Sequence, residues 1–164
     1  MAAPRSGEFW IFIALLVLAY LVVHVALGFG GVAPDFLTIA VLLAARRTAP
    51  PAAALLGLGL GLLADALALE AFGASAVALV VVAFLGARSR DLFEGGSLFF
   101  IGFYLFLGKW VADALYLLIA PGARVDGWTT SLITRLPLAA LYTAVAGALA
   151  LAAYRAIVGE RRGR

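Results

Sequence analysis

The sequence predicts an all-α polytopic membrane protein, a bundle of six transmembrane helices, and three observations carry that prediction. Of the 164 residues, 65% are hydrophobic and only 13% are charged, a balance that belongs to membrane chains rather than soluble domains. The apolar residues come in runs of helical length, punctuated by short stretches rich in Pro, Gly and Arg. The basic residues then sort by loop: Arg5, Arg46, Arg47, Arg88, Arg90, Arg155, Arg161, Arg162 and Arg164 lie on one side, nine of the 12 lysines and arginines, against Arg124 alone in the opposite loops. By the positive-inside rule, six spans arranged this way have both termini in the cytoplasm. No polar stretch is long enough to fold separately, so residues 1–164 read as one integral membrane domain.

The first span covers about 8–27 and ends at the glycine-rich turn Gly28–Gly31. No cleavage site and soluble domain follow it, so it reads as a retained helix and not a signal peptide. The second, about 34–45, starts with Pro34, suited to a first helical turn, and Asp35, which complements the positive end of the helix dipole. It stops at Arg46 and Arg47, short of the roughly 20 residues a full crossing needs. Such a helix tilts little, thins the bilayer locally or starts below the surface.

The third span, about 52–69, follows the Pro50-Pro51 pair and contains an anomaly. Asp65 stands well inside an apolar run, and a carboxylate facing hydrocarbon costs at least about 2.5 kcal/mol. Ala53, Gly57, Gly61 and Asp65 recur every four residues and form one stripe, small enough for another helix to approach closely. Asp65 is therefore expected to point at a helix contact. The fourth span, about 73–87, is rich in Val and Ala. The fifth, about 98–119, opens with Phe99, Phe100, Phe103, Tyr104 and Phe106, an interfacial belt or core. A loop from Pro121 to Ser131 offers Trp128 as an interface anchor. The sixth span, about 133–158, has Pro137 in its first turn and a second small-residue stripe, Ala140, Ala144, Ala148 and Ala152.

With six spans, chain position converts to depth at about 1.5 Å per residue. Asp65 then lies roughly 20 Å from the cytoplasmic boundary, Lys109 near the middle of its span and Asp113 at about the depth of Asp65. His24, Asp35 and Arg135 also fall in the outer half. The expected arrangement is a polar cluster at one level, with Asp65 paired to Lys109 and Asp113 close by, between the third and fifth spans. Three roles stay open: a buried ion pair that fixes helix register, a ligand or proton pathway, and a partner contact. Asp35 also reads simply as a helix start. His24, with no second histidine and no ligand spacing, reads as interfacial or satisfied rather than as a metal ligand.

Other classes are disfavoured. The net charge of +3 arises from loop arginines, leaving no basic, aromatic-interleaved surface for nucleic acid. There is no cysteine, hence no thiolate nucleophile or Cys-based metal site. Phosphate-cradling Gly-Lys-Ser/Thr, H-E-x-x-H and G-x-S-x-G motifs are missing, so neither an enzyme nor a cofactor is expected.

Three stretches together resemble the rod shape-determining protein MreD family. Pro34-Asp35-Phe36-Leu37 resembles its P-D-hydrophobic signature, followed by an arginine pair, here Arg46 and Arg47. Gly57 through Asp65 resembles its G-x-x-x-G-hydrophobic-hydrophobic-x-D helix, and Gly73 fits a glycine in the next turn. Length, six spans and cytoplasmic termini are similar over the whole chain, whereas the specific motifs cover about residues 34–73. The resemblance implies a non-enzymatic inner-membrane scaffold of the cell-elongation, peptidoglycan-synthesis machinery. Its implied partner is MreC, a protein with one membrane helix and a periplasmic domain, in a system with MreB filaments and RodA with its transpeptidase. It also implies a fold similar to the substrate-binding subunits of energy-coupling-factor vitamin transporters, which keeps such a subunit as the alternative function. Gly57 and Gly61, or Ala140, Ala144 and Ala148, are the helix-packing or partner faces on offer.

Overall fold

The computed structural model describes residues 6–23, 34–68, 71–90, 97–120 and 131–162. They form α1 (Ser6–Leu21), α2 (Phe36–Ala45), α3 (Pro50–Ala68), α4 (Ala74–Arg88), α5 (Leu98–Ile119) and, after a single π-helical turn at Ser131–Arg135, α6 (Leu136–Arg162).

The axis of the molecule is α2, the shortest of these helices. Every residue from Leu37 to Ala45 is buried, because α2 packs against α1, α3, α4, α5 and α6. Its sequence, FLTIAVLLAA, is apolar all round, as a helix with no exposed face must be. The outer helices form an arc, α3 against α4, α4 against α5 and α5 against α6, while α1 leans on α2. Both ends of α2 are marked. Asp35 caps its N-terminus by accepting from the Thr38 backbone N–H at 3.0 Å. At its C-terminus, where cations suit the dipole, the Arg46 guanidinium lies 5.4 Å from the centre of the Tyr104 ring and that of Arg47 3.8 Å from Phe9. Tyr104 itself donates to the Leu42 carbonyl at 3.0 Å, tying α5 to α2.

The closest pairing is the α3–α4 hairpin. On α3 the stripe Ala53, Gly57, Gly61 and Asp65 is buried and faces α4: a Cβ at Gly57 would overlap the Leu79 carbonyl, and one at Gly61 would overlap the Ala76 backbone. The second stripe is also occupied within the chain. Ala140 and Ala144 are buried and Ala148 partly so, and a Cβ on neighbouring Gly147 would meet Leu105 of α5 and Ile39 of α2. Both small-residue faces therefore serve internal helix packing.

Six full-length spans, and with them the expected likeness to transporter substrate-binding subunits, are not what the structure shows. Among the described residues three helices are long and apolar enough to cross a membrane, at Pro50–Ala68, Leu98–Ile119 and Leu132–Val158. The apolar part of α1 is described over Gly7–Leu21, α2 has 10 residues and α4 has 15. At about 1.5 Å per residue α2 is roughly 15 Å long, half the hydrocarbon thickness. An apolar run of that length is a core helix, buried by protein and not by lipid. The expected turn at Gly28–Gly31 and the loop residue Trp128 lie outside the described residues.

Candidate functional site

The site is built where α2 begins. Asp35 accepts from the Thr38 N–H on Oδ1 and from the Thr38 hydroxyl on Oδ2, at 3.0 and 2.6 Å. Its own N–H donates to Thr143 Oγ1 of α6 at 3.3 Å. From α5, Lys109 Nζ reaches Asp35 Oδ2 and Asp113 Oδ1, both at 2.7 Å. Lys109 and Asp113 meet because residues four apart share a helix face. Their side chains remain slightly open, 13% for Lys109, 23% for Asp35 and 24% for Asp113.

That openness leads into a cavity of about 500 Å³. The three charged residues line it together with Thr38 and Thr143, and Tyr20, Tyr116 and Tyr142 bring aromatic surface from α1, α5 and α6. Ala64 and Ser75, flanking the α3–α4 turn region, complete the wall nearest Asp65. Two carboxylates and one ammonium leave one formal negative charge among the described residues of the lining. Such a site can hold a cation or a proton; no group of three or more metal-ligating side chains occurs among the described residues.

Asp65 does something different from the expected pairing with Lys109. It is 1% exposed, and its carboxylate accepts three backbone N–H groups at the start of α4: Gly73 and Ala76 on Oδ2 at 2.9 and 3.0 Å, and Ser75 on Oδ1 at 3.0 Å. Gly73, the N-cap of α4, has φ 97° and no side chain with which to cap. Glycine is at home in that left-handed conformation. It turns the chain so that successive N–H groups converge on the carboxylate, and the residue eight positions earlier on α3 supplies the cap. The stripe of α3 brings the backbones close, and Asp65 closes the end of the hairpin.

The structure thus brings together Asp35, Lys109 and Asp113, and places Asp65 in the wall behind the cavity. Arg135 is exposed in the π-helical turn ahead of α6 and does not line the cavity. His24 lies outside the described residues. Sequence reading missed Thr38, Thr143 and the three tyrosines. Tyr116 could have been found, since it stands three residues beyond Asp113 and seven beyond Lys109, on one helical face; Thr143 carries no charge and no spacing that distinguishes it.

By fold and composition this is a helical membrane protein with several apolar helices. Comparison with protein-family models, with curated proteins and with solved structures gives no match for the chain.

Proposed function

We propose that this chain is a non-enzymatic scaffold of the bacterial cell-elongation machinery, set in the inner membrane with both termini cytoplasmic, that binds an MreC-like protein through that partner's single membrane helix. The observation that carries the reading is a lateral apolar groove between α1 and α6, about 350 Å³, walled by Ile11, Phe12 and Leu15 on one side and Ala153, Tyr154 and Ile157 on the other. Glu8 also lines it, and its buried Oε2 takes no hydrogen bond from any described residue. A helix with an apolar face and a basic or hydroxyl side chain at that level would fill the groove and supply the donor. Both small-residue stripes are spent on internal packing, so this groove replaces them as the partner face. The arginine distribution supports the orientation, and the Pro34-Asp35 and Gly57-to-Asp65 motifs support the family.

The cavity beside Lys109 favours a second reading, a ligand-binding transporter subunit. One experiment separates the two. The protein is purified in mild detergent from its native membranes and co-purifying proteins are identified by mass spectrometry. Recovery of a single-span protein with a periplasmic domain, lost on Leu15→Trp or Ala153→Trp, is the expected result. Recovery of an ATPase pair with another multi-span subunit overturns the scaffold, and a partner retained in both tryptophan variants moves the contact off this groove.

A further inference from the structure

We infer that the cavity at the head of α2 is a binding site for an organic cation bearing an ammonium group, with Asp113 as its counter-ion and the tyrosines as its walls. The inference is independent of the scaffold reading, since the cavity shares no lining residue with the α1–α6 groove.

Asp35 is fully engaged: Oδ1 takes the Thr38 N–H, and Oδ2 takes both the Thr38 hydroxyl and Lys109. Asp113 takes Lys109 on Oδ1 and no described donor on Oδ2. The surplus negative charge of the cluster therefore belongs to Asp113, which lines the cavity. Among the described residues no further cation lines that space. An uncompensated carboxylate in a low-dielectric setting is costly, so a positive group there is stabilised, whereas an anionic ligand is opposed.

Size and lining then choose the kind of cation. About 500 Å³ lies within the range of small-molecule pockets and far exceeds the roughly 30 Å³ share of one water. A bare metal ion would leave most of it unfilled, and the described residues offer it no group of three metal-ligating side chains. An alkylammonium suits it better: the nitrogen meets a carboxylate, and its carbon substituents meet aromatic faces, which attract cations through their quadrupoles. Tyr20, Tyr116 and Tyr142 come from three separate helices, so aromatic side chains line the cavity from more than one element. A free amine and the ammonium of a phosphatidylethanolamine headgroup share this chemistry.

The test uses the full chain in nanodiscs of phosphatidylglycerol. Ethanolamine is titrated in by calorimetry, and in parallel the protein is reconstituted with added phosphatidylethanolamine and examined by native mass spectrometry for retained lipid. Saturable binding of at least one probe is expected, weakened at least tenfold in Asp113→Asn and unchanged in Glu8→Gln, which lies in the other groove. Ethanolamine binding assigns a free amine, and retention of the lipid alone assigns a headgroup. Should Asp113→Asn fail to fold, Tyr142→Leu, at a residue 53% exposed, removes one ring and is expected to weaken the same binding severalfold. Absence of binding of both probes to the wild-type chain, or binding that Asp113→Asn leaves intact, overturns the inference.

Discussion

Two acids, Asp65 and Asp113, one buried and one part-exposed, meet opposite fates. Asp65 is closed off and saturated by backbone: three N–H groups of α4 point at it, and the helix dipole behind them favours its charge. Asp113 shares a single ammonium with Asp35 and opens on a cavity. A carboxylate that ends a helix hairpin is part of the frame, and one that competes for a counter-ion beside open space is available for chemistry. The two side chains are chemically the same. What separates them is the kind of partner, fixed dipoles in one case and an outnumbered cation in the other.

The largest effect belongs to the frame. Asp65→Ala strands three N–H donors at the start of α4, with Gly73 unable to cap in its place. Leaving buried donors unmet costs about 1–3 kcal/mol for each, and partial rescue by water or by rearrangement of the turn brings the expected loss to about 3 kcal/mol. In detergent this appears as a fall in the thermal midpoint of roughly 10 °C. Asp65→Asn keeps an acceptor and should lose about half as much. A midpoint unchanged in Asp65→Ala would place the capping bonds among contacts of no energetic weight and erase the contrast between the two acids.

A smaller effect tests the approach that lets Asp65 reach α4. Gly57→Ala and Gly61→Ala push a methyl into the α4 backbone at Leu79 and Ala76, and rigid backbone cannot yield as a side-chain end would. Each should destabilise by about 1–3 kcal/mol. Gly59 lies between them on the same helix with nothing within 4 Å of its would-be Cβ. Gly59→Ala should therefore stabilise by about 0.5–1 kcal/mol through helix propensity alone. Equal thermal shifts for the three glycines would mean that propensity, and not the α3–α4 contact, sets their value.

Much of this frame was legible in the sequence. The bounds of α5 follow from its apolar run, and the stripe ending in Asp65 announced a close helix contact. Helical rise puts Asp35, Lys109 and Asp113 near one level, and these three do meet, whereas Arg135 does not line the cavity and His24 lies outside the described residues. The direction in which each residue faces around its helix depends on how the bundle is wound, and here expectation and structure part: Asp65 is expected beside Lys109, whereas the ammonium is shared by Asp35 and Asp113. The missed signal was Gly73 followed by Ser75 and Ala76, a helix start with no capping side chain of its own and an acid at the end of the preceding helix. Run length misled in the same way, because α2 is as apolar as a span yet is buried by five neighbours. Hydropathy reports removal from water and is silent on whether lipid or protein does the removing.

The smallest expected effect is also the one that separates the two acids most sharply. Asp113→Asn keeps the shape of the side chain and one carbonyl oxygen for Lys109, and leaves Lys109 facing Asp35 as a one-to-one pair. It removes a bond to a charged acceptor, worth about 1.5–3 kcal/mol in isolation, and with it the repulsion between two carboxylates that share one ammonium. These contributions oppose each other, and the side chain is 24% exposed, so water can serve what remains unpaired. A change in stability within about 0.5 kcal/mol is expected, several times smaller than for Asp65→Asn, although both substitutions exchange the same atoms. If instead Asp113→Asn unfolds the protein as readily as Asp65→Asn, then Asp113 is as much a part of the frame as Asp65. The opening beside it would then be a by-product of helix packing around a short central helix.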